Sequence, residues 1–154
     1  MSSHAGASVA QTLWVEMASM VTPYPAGVVA VPEPIQGTAF LPGGLGLWLN
    51  GNDALRPFPN DQIMVVGQDF NTLATYEVAR KLGSEVNSSS TWRNIRRIFR
   101  ELNVPLQNCF FTNFYMGLRA AGPETGRFPG ARDREFVKRC VRFFERQMEV
   151  ARPK

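Results

Sequence analysis

Residues Ile63-Met64-Val65-Val66 form a short apolar, β-branched run that stops at Gly67, and a carboxylate follows two residues later at Asp69. Four apolar residues ahead of a polar turn read as a buried strand of an α/β sheet. Sheets of that kind bind ligands just beyond the carboxyl ends of their strands. Asp69 therefore falls where chemistry concentrates. Asn108-Cys109-Phe110-Phe111-Thr112-Asn113-Phe114-Tyr115 repeats the pattern, an apolar run closed by an amide. As parallel neighbours, the two strands direct Asp69 and Asn113 into one cleft.

Between them the chain reads as helical. Thr72 to Leu82 is followed by Gly83, a natural C-terminal stop. After the serine-rich stretch 84–90, Thr91 to Leu102 carries Ile95, Ile98, Phe99 and Leu102 at i, i+3, i+4 and i+7, the spacing of a buried stripe. A last helix is expected from about Asp133 to Val150, turning Phe136, Val137, Cys140, Val141, Phe144 and Met148 inward. Upstream, Ser8-Val9-Ala10-Gln11 has the form of a capping box, opening a helix through Val9, Leu13, Trp14, Met17 and Met20. Residues 21–60 hold too many prolines and glycines for long helices. They read as an irregular segment wrapping the core through Phe40, Leu47 and Trp48. Gly43-Gly44-Leu45-Gly46 follows no strand and fits no phosphate-loop pattern, so it reads as a turn. The β-α-α-β-α order implies an α/β domain around a parallel sheet. Residues 1–60 form the N-terminal helix and wrapping segment, and residues 61–154 the core.

Composition narrows the function. A chain of 154 residues with 44% hydrophobic and 19% charged residues fits one globular domain. No apolar run approaches the ~20 residues of a membrane span. The N-terminus lacks the pattern of a secretory signal, and Cys109 and Cys140 fit no redox or metal motif, so the cytosol and free buried thiols are expected. The single histidine, His4, argues against a multi-histidine metal site. Residues 1–60 hold one basic and three acidic residues, whereas 61–154 hold 16 basic and 10 acidic ones. Arg93, Arg96, Arg97 and Arg100 cluster in one helix. The imbalance suits a polyanion such as nucleic acid; a solvated helix face balanced by Glu101, Glu135, Glu145 and Glu149 explains the same arginines. Asp69 has two readings as well, a reactive carboxylate or the N-cap of helix 72–82.

Gly67-Gln68-Asp69 after an apolar strand resembles the water-activating motif of the uracil-DNA glycosylase superfamily, whose best-known form reads G-Q-D-P-Y. Asn94-Ile95 through Glu101-Leu102 is similar to the N-I-x-x-x-x-x-E-L helix that the family carries between its first two strands. Phe110-Phe111-Thr112-Asn113 resembles the strand ending in its uracil-reading asparagine. The three elements occur in the family's order over residues 61 to 119. Phe70 and Asn71 replace the family's Pro and Tyr, and neither a histidine loop nor a fourth strand follows helix 133–150, so the chain resembles the first two-thirds of such a protein. The resemblance implies a three-layer α/β sandwich, incomplete at its C-terminal third. It implies no cofactor, and as partner DNA bearing uracil or a related damaged base.

The residues fit that chemistry. A glycosylase acts on a flipped base. The Asn113 amide supplies an acceptor for uracil N3–H and a donor for O4. A carboxylate at Asp69 stabilises a cation-like sugar and orients water, with Gln68 contributing a backbone N–H toward uracil O2. Phe70 is the nearest stacking platform, Trp92 and Tyr115 stand behind it, and Asn71 occupies the position that bears on thymine. Arg119 is the candidate phosphate contact. Two other readings fit: a non-catalytic nucleic-acid-binding module or remnant of that fold, and a small-molecule-binding α/β domain. With one edge bare, strand 63–66 is expected to promote self-association.

Overall fold

A computed structural model of the chain describes residues 3–35, 58–86 and 88–154. Phe40, Leu47, Trp48 and the glycine-rich turn at 43–46 lie outside the described residues.

The described fold is mixed α/β. It begins with α1 (Ser3–Val21), which starts five residues before the expected capping box. Leu13, Met17 and Val21 bury the face that the spacing assigned to it, and Val9, Trp14 and Met20 pack at its margin. A short strand, β1 (Val28–Val29), follows. The first parallel strand is β2 (Ile63–Gly67). Helix α2 (Leu73–Leu82) is capped by the Thr72 hydroxyl, which accepts from Thr75 N at 3.1 Å, and is closed by Gly83 in the left-handed region at φ 63°. Helix α3 (Ser90–Glu101) is capped by Ser89, whose Oγ accepts from Trp92 N at 3.3 Å. Then come β3 (Cys109–Asn113) and β4 (Leu118–Arg119). Helix α4 (Arg134–Ala151) starts where Asp133 Oδ1 accepts from Phe136 N at 2.8 Å.

β2 and β3 pair in parallel, with Ile63 opposite Cys109 and Gly67 opposite Asn113. β1 and β4 form a separate antiparallel pair. Alternation along β3 feeds two clusters, because successive side chains leave a strand on opposite faces. Phe110 joins the main core with Tyr76, Phe136, Phe143, Leu13 and Met17. Cys109 and Phe111 join a smaller cluster with Val65, Trp92, Ile95 and Phe99 beneath α3. The two thiols thus sit in different clusters and are free. Burial pushes the Cys109 thiol up to about 11.

Three expectations are corrected by packing. β2 is not a buried strand: Ile63 is 44% and Val66 45% exposed. It has β3 on one side and, among the described residues, no strand on the other. In α3, Ile95 and Phe99 pack inward, but Ile98 and Leu102 are exposed, because the cluster beneath the helix is too small to cover a full stripe. In α4 the buried line runs Phe136, Cys140, Phe143, Gln147, Ala151, one residue out of phase with part of the expected stripe. Val141 and Met148 are more than a third exposed. The helix is rotated to admit Gln147, whose Oε1 accepts the Thr112 hydroxyl while its Nε2 has no partner among the described residues.

The ends of the core are tied together. Asp61 N donates to Ala151 O at 2.7 Å, Lys154 N donates to Gln62 O at 3.1 Å, and Arg152 pairs with Asp61 at 2.8 Å. Arg146 holds Glu16 at 2.8 Å, joining α4 to α1. No described helix is long and apolar enough to cross a membrane.

Candidate functional site

The carboxyl end of the parallel pair gathers Gly67, Gln68, Asp69, Asn113 and Tyr115. Register does this directly, since Gly67 and Asn113 are ladder partners. The ladder then continues past both strands, with Phe114 N donating to Gly67 O at 3.0 Å and Tyr115 N to Gln68 O at 2.9 Å. The Asn113 side chain lies across Gly67, so that a β-carbon at position 67 would overlap its Oδ1. Glycine here is what lets an amide rest on the neighbouring backbone. Asn113 is half-buried, and its carboxamide has no hydrogen-bond partner among the described residues. Its donor and acceptor are therefore available at the mouth of the pair. Gln68 is exposed beside it.

Asp69 is built differently. Its side chain is only 5% exposed. Oδ1 accepts from Asn71 N at 2.8 Å and from Arg119 Nε at 3.3 Å, and Oδ2 accepts from Arg119 Nη2 at 2.9 Å. A carboxylate has about four acceptor sites; these bonds occupy both sites on Oδ1 and one on Oδ2. The two-pronged match of guanidinium and carboxylate fixes orientation as well as charge. Asp69 is not the cap of α2, a role that Thr72 takes.

Arg119 is reassigned by the same geometry. Its side chain is 3% exposed, out of reach of a phosphate. Besides Asp69, it donates from Nη2 to Gly126 O at 2.8 Å and from Nη1 to Arg127 O at 3.2 Å, Thr125 O at 3.3 Å and Pro123 O at 3.5 Å. Four carbonyls of the loop 120–127 thus converge on one cation. Thr75 Oγ1 ties the same loop to α2 by donating to Glu124 Oε1 at 2.7 Å. The backbone of Arg119 also takes part, donating from N to Asn71 O at 2.8 Å. Asn71 itself adopts φ 74°, a left-handed conformation that asparagine tolerates, and its Oδ1 accepts from Thr72 N at 2.7 Å. Its side chain is therefore turned into its own turn.

The aromatic candidates separate. Phe70 is 5% exposed in the main core and presents no face to a ligand. Trp92 packs on Phe111 at 5.9 Å between ring centroids, in the cluster beneath α3. Only Tyr115 stays with Asn113. Its ring stacks on Phe128 at 4.7 Å and 10°, and Phe128 stacks in turn on Phe136 at 6.2 Å. The Arg119 guanidinium lies 5.7 Å from the Phe128 ring centre.

Gln68, Asp69, Asn113 and Tyr115 all follow the carboxyl ends of the parallel pair, with the Asp69 carboxyl turned to Arg119 and the Asn113 carboxamide lying over Gly67, while Phe70 and Trp92 go into the core clusters. The structure adds the carbonyl-lined loop 120–127, which the sequence did not mark as part of a site. One signal was present: Arg119 sits in Met116-Gly117-Leu118-Arg119-Ala120-Ala121, an apolar setting that suits a buried, paired arginine better than a surface one. Among the described residues no group of three or more His, Cys, Asp or Glu side chains could hold a metal ion. Compared with known protein families, curated proteins and solved structures, the chain matches none.

Proposed function

We propose that this chain is a uracil-DNA glycosylase-like domain of three-layer α/β type, which receives a flipped uracil at the carboxyl end of β2 and β3 and hydrolyses its N-glycosidic bond. One observation carries the reading: an amide free to pair with a base, Asn113, and a rigidly held carboxylate, Asp69, leave the same end of two parallel strands. In this scheme the Asn113 carboxamide accepts from uracil N3–H and donates to O4. Cytosine presents the reverse pattern and leaves buried groups unpaired, the mismatch that gives strong rejection. The ring of Tyr115, braced by Phe128, offers the stacking surface. Water bonds to C1′ as the C1′–N1 bond breaks, and the electron pair leaves with uracil. A water that reaches the remaining acceptor site of Asp69 Oδ2, on a side chain only 5% exposed, is oriented there and gives up its proton. In this scheme the N–H of Gln68, an exposed residue, donates to uracil O2. The basic face of α3, with Arg93, Arg97 and Arg100 exposed, supplies attraction for the phosphate backbone.

The pairing of Asp69 with Arg119 favours a second reading. A carboxylate neutralised by a buried cation stabilises a developing sugar cation weakly, so the domain binds uracil-bearing DNA without cleaving it. Uracil release from single-stranded DNA separates the two, with wild type compared against Asp69→Asn and Asn113→Ala. Release that both substitutions abolish supports hydrolysis. Salt-dependent binding that Asn113→Ala weakens, with no release, supports the binding module. Equal release by wild type and Asp69→Asn removes Asp69 from the scheme.

A further inference from the structure

The carbonyls of Pro123, Thr125, Gly126 and Arg127 converge on a guanidinium that also grips both oxygens of Asp69. We propose that Arg119 is a positioning residue, which fixes Asp69 and the loop 120–127 as a single unit so that the orientation of the carboxylate and the path of the loop are set together. The role of Asp69 in hydrolysis rests on the reading above; the coupling itself does not.

Each partner constrains the other through one planar group. Arginine carries five N–H donors in a fixed fork. Nε and one N–H of Nη2 hold Asp69, the second N–H of Nη2 holds Gly126 O, and the two N–H groups of Nη1 are shared among the carbonyls of Pro123, Thr125 and Arg127. A rotation of the guanidinium that freed Asp69 would also break its bonds to the loop. Conversely, a loop that moved away would leave the guanidinium held at one side only. Besides these carbonyls, the loop is held by Thr75 to Glu124 and, at its start, by Ala120 N donating to Gly27 O at 3.0 Å, while residues 120–127 are all exposed. Asp69 and Gly126 are far apart in sequence, and Arg119 bonds both of them directly, whereas Thr75 reaches the loop only through Glu124. Lysine retains the charge but has three donors on a single nitrogen, and it cannot span the carboxylate and four carbonyls.

Limited trypsin digestion provides a readout independent of activity. The bond after Arg127 is protected in the wild type, because Arg127 O is held by Arg119 and Phe128 is 1% exposed. Mass spectrometry follows cleavage at that bond in wild type, Arg119→Lys and Asp69→Asn, with circular dichroism to verify the fold. Cleavage about 10-fold faster in both variants supports the coupling. Asp69→Asn is the decisive variant, because its substitution lies outside the loop; an unchanged rate in that variant overturns the proposal. Where uracil is released, Arg119→Lys lowers kcat by about 10-fold or more with KM little changed, and added methylguanidinium restores part of the rate to Arg119→Ala. A raised KM with unchanged kcat makes Arg119 a substrate-binding group and overturns the positioning role. Absence of uracil release defeats the glycosylase reading alone, and the digestion then decides the coupling by itself.

Discussion

Replacing Arg119 by methionine tests the energetic side of the buried pair. The two side chains are 3% and 5% exposed, so neither charge has water to fall back on once its partner is gone. Removing one member of such a pair costs about 3–5 kcal/mol, because the remaining charge is left buried and uncompensated. For a domain of this size each kcal/mol lowers the melting midpoint by about 2–4 °C, so the variant should melt ~6–20 °C below the wild type. The exposed pair of Lys138 and Glu135, with side chains 62% and 68% exposed, gives the internal control: Lys138→Ala should leave the stability close to that of the wild type. Urea unfolding, followed through tryptophan fluorescence, supplies the free energies, and the denaturant slope should stay unchanged. A double-mutant cycle with Asp69→Asn isolates the pair, and the double variant should fall short of the sum of the singles by more than about 1 kcal/mol. If Arg119→Met costs no more than the control, the ion pair is hydrated and the argument from burial is wrong.

Two further predictions concern the sheet and its thiols. Phe114 N donates to Gly67 O, so by ladder alternation the main-chain groups of Ile63, Val65 and Gly67 face β3, and those of Met64 and Val66 face outward. We expect this edge, unpaired among the described residues, to drive concentration-dependent self-association in sedimentation experiments, and Val66→Pro, which removes an outward N–H and spares β3, to abolish it; a wild-type monomer at all concentrations refutes the expectation. Burial raises the Cys109 thiol from 9.0 to about 11 and the Cys140 thiol in the same direction, so folding favours the neutral form. That contribution is complete below pH 9 and is lost as pH climbs through about 11. The melting midpoint should therefore drop over that interval, and drop less in Cys109→Ala; parallel curves would show that the thiol is not desolvated.

Much of the fold was legible wherever the deciding signal was local. The Gly83 stop and the periodicity of 72–82 and 91–102 are short-range features, and those helices lie within a residue or two of expectation, although Thr72 rather than Asp69 caps the first of them. The parallel pairing of 63–67 with 109–113 followed from strand-helix-helix-strand order. Burial was read less well, because it depends on what lies opposite. An apolar run at 63–66 looks the same in a central strand and in an edge strand. The phase of α4 turned on a single buried amide, Gln147, which periodicity treats as an outward residue. In the candidate site, Asp69 and Asn113 could be singled out because each ends an apolar run. Arg119 could not be assigned to Asp69, since fifty residues separate them and only the path of β4 beside residues 71–72 brings the guanidinium back. Phe70 and Trp92 failed as platforms for a related reason: aromatic composition does not distinguish a ring that lines a cleft from one that fills a core.

Tyr115, Phe128 and Phe136 form a column of nearly parallel rings from the mouth of the strand pair to the first turn of α4. Such packing resists compression, since close-packed rings of the interior leave little room to approach further. A change of ring size at Phe136, remote from the mouth, is therefore relayed to Tyr115 with no flexible segment in between. The mouth of the strand pair inherits the stiffness of the interior, and its shape can be retuned by substitutions far from it.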